Sequence, residues 1–430
     1  MAYNAYKNKN LKFTSKQLHA GYNPKEHNNS KTVPIYQNTA FQVNTPEEAA
    51  KLFSFQKEGY TYGRYSNPTI TALEKRIEAL EGEDVKAVNF ASGMAATANT
   101  LLNLAETGDE IIASNTLYGG NTTVLKKILP QYGIKGVFVK DENDPKTFEN
   151  AITKKTKGIF IESLGNPHSS IIDFEKIKRI AKKYDIPFII DNTFATPYLF
   201  PASKYADIII YSASKYLSGH GIVIGGIVVD CNSYNFLNGK YKMFESFYEN
   251  SKKLLGTKKI KEHIFSKRLK IVNLTDLGAC MTPHTAFYII QGIETLSLRL
   301  DKHNENAEAI ANFLDLNKNV LEVNYPSLKS SPYNNLSKKY FKKGVGGILS
   351  FTAKGGYKKA RNIVMGTELF DYMVNVGDTK SLITHAITST HYGQPEEILK
   401  KINITDNTIR LSVGIEDKED LIKDLSRVLK

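Results

Sequence analysis

Cysteine is scarce: Cys231 and Cys280 are the only two in 430 residues. That excludes a disulfide framework. One bridge is arithmetically open, but two idle thiols in a reduced, cytoplasmic protein are the expectation. No Cys/His cluster has zinc-ligand spacing, so no metal is expected. Long apolar runs are missing too. None approaches the roughly 18 residues that a membrane-spanning helix needs, and no membrane partner is expected. The opening stretch MAYNAYKNKNLKF has neither an apolar core nor a cleavage pattern, which speaks against a secretory signal. Internal repeats and low-complexity tracts do not occur.

Acidic residues are outnumbered, 44 against 57 Lys and Arg, for a net charge of +13. A basic nucleic-acid-binding protein without catalytic activity is one reading of that excess. Residues 240–270 hold ten Lys/Arg against three Glu, with few aromatics spaced to stack bases. A solvated, lysine-rich insertion is the simpler account, so no nucleic-acid partner is expected.

What is present is an ordinary globular composition, 41% hydrophobic and 23% charged, in a chain long enough for two domains. Residues 1–60 read as an irregular arm leading to a short helix after Thr45–Pro46. NPTITALEKRIEALEGE is an amphipathic helix, with Leu73, Ile77 and Leu80 on one face and Gly82 at its end. Short apolar runs then recur at 85–90, 109–113, 136–139, 158–162, 187–190, 207–211 and 222–229. Continuous apolar strands alternating with helices predict a large α/β domain around a mainly parallel sheet covered on both faces. Residues 230–272 interrupt the pattern as an insertion. Long helical material and two short strands, GGILSFTA and TIRLSVGI, predict a smaller α+β domain beyond residue 275. The expected division is an arm over 1–60, a binding domain over 61–274 and a C-terminal domain over 275–430.

Ligands of open α/β sheets bind beyond the carboxyl ends of the strands. After VKAVNF, Ser92 and Gly93 open a helix whose free amides suit a phosphate, although a serine cap with a packing glycine explains the same residues. GIFIESL is followed by Asn166, IPFII by Asp191, and ADIIIY by Ser212, Ser214 and Lys215. An Asp191–Lys215 ion pair is the plain account of the last two. A buried lysine also tends to lose its proton and become a nucleophile or base. An anion cradle, an amide, a carboxylate and a lysine together suit a flat heteroaromatic aldehyde with a phosphate tail, namely pyridoxal 5′-phosphate.

The ordered motifs QLHAGYNP, VPIYQNTAF, YTYGRYSNPT, ASGMAA, LYGGN, DNTFATP, SASKYLSGH and RLSVGIE resemble the Cys/Met-metabolism family of pyridoxal-phosphate enzymes. The family includes cystathionine synthases and lyases, methionine γ-lyase and homoserine-ester sulfhydrylases. The resemblance implies the aspartate-aminotransferase-like fold type I. It assigns Lys215 to the Schiff base with the cofactor and to proton shuttling, Asp191 to the pyridine nitrogen, and Tyr118 to the ring face. Gly93, Met94, Ser212 and Ser214 hold the phosphate. Tyr62 and Arg64 reach it from a neighbouring subunit, Tyr62 with a catalytic part, in a homo-oligomer that is usually a tetramer. Arg410 clamps the substrate α-carboxylate, assisted by Asn166.

Three features resemble the O-acetylhomoserine sulfhydrylase branch. They are the insertion ahead of TDLGACMTPHTAFYIIQGIETLSLRL, Asn375 beside the substrate in NVGDTKSLITH, and Gly119–Gly120 in LYGGN. Ala386, Ile387 and Thr388 depart from that branch's usual Pro-Ala-Ser. The implied reaction is γ-replacement, turning O-acetyl-L-homoserine and sulfide or a small thiol into L-homocysteine or methionine and acetate. Methionine γ-lyase and cystathionine γ-synthase are the family's alternatives.

Overall fold

Isoleucine-rich runs dominate the middle of the chain, and they fold as seven strands of one sheet. These are β1 (Lys86–Phe90), β2 (Glu110–Ala113), β3 (Lys135–Phe138), β4 (Thr156–Glu162), β5 (Phe188–Asp191), β6 (Ile208–Ser212) and β7 (Gly226–Asp230), in the spatial order β1-β7-β6-β5-β4-β2-β3. The computed structural model describes residues 11–54, 56–255, 260–394 and 396–430. The first ten residues and positions 256–259 of the lysine-rich segment lie outside them. β7 runs antiparallel to both β1 and β6, and every other pairing is parallel. β1 to β6 therefore end at one common edge.

Side chains alternate across a strand, so a run buried at every position needs cover on both faces. Ile161, Ile190 and Ile209 enter one hydrophobic cluster, while their neighbours Phe160, Ile189, Ile208 and Ile210 enter another on the opposite face. A second sheet holds β8 (Val320–Asn324), β9 (Ile348–Ala353), β10 (Asp371–Tyr372), β11 (Leu382–His385) and β12 (Thr408–Ser412), ordered β10-β11-β12-β9-β8. It is antiparallel apart from the β10–β11 pair. Among the described residues no helix is long and apolar enough to cross a membrane. Cys231 and Cys280 are unpaired thiols.

Four details differ from the expectations. The run at 222–229 becomes strand only from Gly226, and Ile222 and Ile224 stand 59% and 69% exposed. Gly221, at φ +65°, turns the chain just before them. The arm is not irregular throughout, since Phe13–His19 is helical and packs on helix Pro68–Glu81. Arg76 fastens it by donating to the Gln17 carbonyl at 2.6 Å and to the Ala20 carbonyl. Seven residues are too few for a clear periodicity. β8, β10 and β11 were not anticipated, β10 being two residues long and β8 half-exposed. Lastly, the lysine-rich insertion is not simply solvated. Phe236 lies 4.7 Å from Phe244 and 5.2 Å from Phe265 between ring centroids, and these rings join the core beneath helix Gly93–Leu104.

β7 passes close under the turn that leaves β1. A Cβ on Gly226 would stand 2.1 Å from the Ser92 carbonyl and 2.9 Å from the Gly93 nitrogen. Both contacts are backbone, so the turn must move to admit a methyl group. Gly226→Ala is expected to cost about 1–3 kcal/mol by overpacking, read as a lowered thermal midpoint, and to weaken anion binding at the turn.

Candidate active site

The strand ends meet at a cavity of about 350 Å³. It is lined by Gly93 and Met94 after β1, Glu162 and Asn166 from β4, Asp191 and Thr193 from β5, and Ser212, Ser214 and Lys215 from β6. Tyr118 and Asn121 enter from the segment after β2, and Asn375 and Arg410 enter from the smaller sheet. The strand ends thus bring Gly93, Asn166, Asp191, Ser212, Ser214 and Lys215 to one place, and Tyr118, Asn375 and Arg410, expected from the resemblance, line the same cavity.

Lys215 and Asp191 do not form the plain ion pair. Lys215 Nζ donates to Asn375 Oδ1 at 2.6 Å. Burial, with the Arg410 guanidinium nearby, lowers the Lys215 pKa to about 8. Asp191 accepts from Thr193 Oγ1 at 2.5 Å, Thr193 N at 3.1 Å and Asn121 Nδ2 at 3.1 Å. Burial pushes its carboxyl upward and these donors oppose the push. Thr193 Oγ1 accepts in turn from Ser212 N at 2.8 Å, which locks the ends of β5 and β6 together.

Arg410 lies on β12 at 3% exposure and donates to Asn166 Oδ1 and to the Asn375 carbonyl, both at 3.2 Å. Burial lowers its pKa to about 10, so it stays charged at neutral pH. Two neutral acceptors orient the guanidinium without cancelling its charge. That leaves it suited to a carboxylate.

Helix Gly93–Leu104 starts with Ser92 Oγ accepting from Ala95 N at 3.0 Å, so the cap does not consume the amides of Gly93 and Met94. A Cβ on Gly93 would come within 2.7–2.9 Å of Ser212. Glycine here lets the amides and the Ser212 hydroxyl converge on one space, while Ser214 Oγ accepts from Gly225 N at 3.0 Å and steadies the far rim.

Tyr62 and Arg64 do not reach this cavity. Tyr62 bridges Ala40 in an isolated β-contact, and the Arg64 guanidinium lies 5.4 and 5.2 Å from the centroids of Tyr62 and Tyr65 while donating to the Thr275 carbonyl. Sequence reasoning missed Glu162, Asn121 and Thr193. Asn121 and Thr193 sit inside the quoted motifs LYGGN and DNTFATP, and Glu162 is the polar end of an apolar run.

The residues fit pyridoxal 5′-phosphate. An amine low enough in pKa to be partly neutral can bond an aldehyde, and a carboxylate held by neutral donors suits a protonated ring nitrogen. The half-exposed Tyr118 ring offers a face for stacking, and the cradle that a Cβ on Gly93 would fill suits a phosphate.

Comparison with known proteins agrees. The model of the Cys/Met metabolism PLP-dependent enzyme family matches residues 14–430. The chain is 40% identical to the O-acetyl-L-homoserine sulfhydrylase of Leptospira meyeri, over 98% of this chain and 97% of that one. It is 37% identical to the homocysteine synthase of Schizosaccharomyces pombe, over 97% and 98%. A solved Campylobacter jejuni structure, assigned as an O-acetylhomoserine (thiol)-lyase and carrying N′-pyridoxyl-lysine-5′-monophosphate, superposes with a TM-score of 0.92. It shares 42% identity, over 97% of this chain and all of that one. With a fold type I architecture, a fitting cavity and a family match across nearly its whole length, the chain belongs to the Cys/Met-metabolism family of pyridoxal-phosphate-dependent enzymes.

Proposed function

We propose that the protein is an O-acetylhomoserine sulfhydrylase, a transferase that replaces the acetate of O-acetyl-L-homoserine by sulfide or a small thiol. The single observation that carries this reading is the convergence of Lys215, Asp191 and Arg410 on one cavity, in a chain whose relatives bear that activity in their names. When bound, pyridoxal 5′-phosphate supplies an aldehyde for the substrate amine and a ring that withdraws electrons from Cα.

The chain's own residues do the rest. Arg410, oriented by Asn166 and Asn375, grips the α-carboxylate and sets Cα toward Lys215. Lys215 Nζ, the amine that would hold the cofactor aldehyde, takes the Cα proton and later returns one, with Asn375 Oδ1 aiming it. Asp191 would hold the proton on the ring nitrogen, Tyr118 would cover the ring face, and Gly93, Met94, Ser212 and Ser214 would bind the phosphate. A Cβ proton is then removed, the Cγ–O bond breaks as acetate leaves, hydrosulfide forms the Cγ–S bond, and protons return to Cβ and Cα to give L-homocysteine. Val223, Ile224 and Val374 give the cavity an apolar side, with Ile224 and Val374 more than half exposed.

The working divisions are an arm over 1–60, a binding domain over 61–274 and a C-terminal domain over 275–430. The working unit is a homo-oligomer, a tetramer, in which Tyr62 and Arg64 serve a neighbour's cavity. What supports this is that both stay away from the cavity of their own chain. The same oligomeric, reduced protein would work in the cytoplasm.

The deciding assay is product analysis with O-acetyl-L-homoserine, with and without sulfide. L-Homocysteine and acetate are expected with sulfide, whereas 2-oxobutyrate and ammonia as main products would make the protein a γ-lyase. Lys215→Ala should abolish turnover and leave no cofactor attached to the chain after borohydride reduction and denaturation; near-normal turnover would refute the assignment. Only the neutral amine attacks an aldehyde, so covalent cofactor uptake by apoprotein should speed up with rising pH and level off past about 8, the pKa of Lys215. Arg410→Ala removes a charge-assisted contact made throughout the cycle and should raise KM roughly ten- to a hundredfold, with a smaller change in kcat.

A further inference from the structure

Glu162 has no part in the scheme above, yet it lies at the floor of the cavity beside Asp191. The two are register partners at the ends of β4 and β5, so both carboxyl groups emerge at one level of the sheet. Asn121 Nδ2 bridges them, 3.0 Å from Glu162 Oε1 and 3.1 Å from Asp191 Oδ2. Among the described residues neither has an ion-pair partner, and Lys215 is turned to Asn375. Two anions this close in a buried setting, with one amide between them, cannot both be retained cheaply, so such a pair holds one proton between its members.

The donors decide which member carries it. Asp191 takes three hydrogen bonds, one of them a 2.5 Å hydroxyl contact. Glu162 takes two, from Tyr118 N at 2.6 Å and from Asn121, both on Oε1, which leaves Oε2 to hold a hydrogen.

We propose that Glu162 is the protonated member of a two-carboxylate, one-proton pair with Asp191, and that it acts as a positioning residue for Tyr118 and Asn121. As a neutral acid it anchors the Tyr118 backbone without placing a second negative charge under the ring that Tyr118 covers. The ring nitrogen then meets one anion, Asp191, as the cofactor reading of the site requires, and the proposal rests on that reading. Burial, and after it the charge of Asp191, push the Glu162 carboxyl well above the ordinary range. The other titratable groups facing it are Glu142 beyond β3, itself a carboxylate that raises it, Tyr118, and, across the cavity, Lys215 and Arg410.

The test uses Glu162→Gln, a neutral side chain with an acceptor oxygen in the same place, beside Glu162→Ala, which has none. The first readout is apoprotein thermal stability between pH 5 and 8.5, which needs no cofactor. The folded wild type holds a proton that the unfolded chain releases above the ordinary carboxylate range, so its stability falls as pH rises. Glutamine has no such proton. The midpoint of Glu162→Gln minus that of wild type should therefore climb with pH by a few degrees. In the holoenzyme Glu162→Ala should lower kcat/KM at least roughly tenfold, because the buried Tyr118 amide loses its acceptor, and Glu162→Gln should recover most of that loss. A midpoint difference that is flat with pH, or a glutamine variant as impaired as the alanine one, would overturn the proposal. Failure of the cofactor reading would appear separately, as cofactor uptake that does not depend on Lys215.

Discussion

A carboxylate held inside the cavity with no cation paired to it among the described residues is the constraint around which this site is built. Removing an ionised group from water costs several kcal/mol, even after the protein relaxes around it. Asp191 meets that cost with neutral donors alone, from Thr193 and Asn121. Each donor is tied to something else. Thr193 receives Ser212 N and so fixes the start of the lysine-bearing turn, while Asn121 joins Asp191 to Glu162 and thereby to Tyr118. The carboxylate thus organises both the ring-covering and the covalent sides of the cavity. Its charge favours a ligand that brings a proton on a ring nitrogen.

The second sheet contributes the opposite charge by a similar device. Arg410 stands in the middle of β12, between β11 and β9, buried apart from the part that lines the cavity. Acceptors without charge orient it and leave its positive field intact. The cavity therefore presents an anion at its floor and a cation at its wall, with a largely buried amine between them, and this charge order matches an amino-acid substrate bound beside an electron-withdrawing ring.

How far the sequence disclosed this depended on where each residue sat relative to an apolar run. Asp191 and Lys215 directly follow isoleucine-rich stretches, so strand ends and site residues could be read together. Glu162 closes a similar stretch but passed as part of the strand, because nothing local marks a glutamate that pairs with a residue on the next strand. The smaller sheet was only half legible. β9 and β12 are buried at every position and carry large apolar residues at intervals, whereas β8 lies half in solvent and β10 is too short to leave a pattern. The aromatic core of the lysine-rich segment was hidden by composition, since over residues 230–272 the sequence has nine lysines against seven Phe and Tyr. Roles that depend on a neighbouring chain, as for Tyr62 and Arg64, came from resemblance and not from any local signal.

The loop over residues 163–170 carries Asn166 and is buried at every position, although it is neither helix nor strand. A buried loop must find partners for its polar groups, and this one finds them on three sides. Ser163 N and Asn166 N bond the Asp191 and Thr116 carbonyls, His168 joins Ser350 Oγ and the Ile402 carbonyl at 2.7 and 2.9 Å, and Ser169 Oγ donates to the Ile348 carbonyl. The peptide that orients Arg410 is thus riveted to both sheets at once. Hardly any residue in it is unconstrained by packing, whereas Ile224, on the cavity lining, is 69% exposed. Room for a different nucleophile or leaving group therefore lies along the exposed lining at Ile224, and recognition of the amino-acid end rests on the part of the site that packing holds fixed.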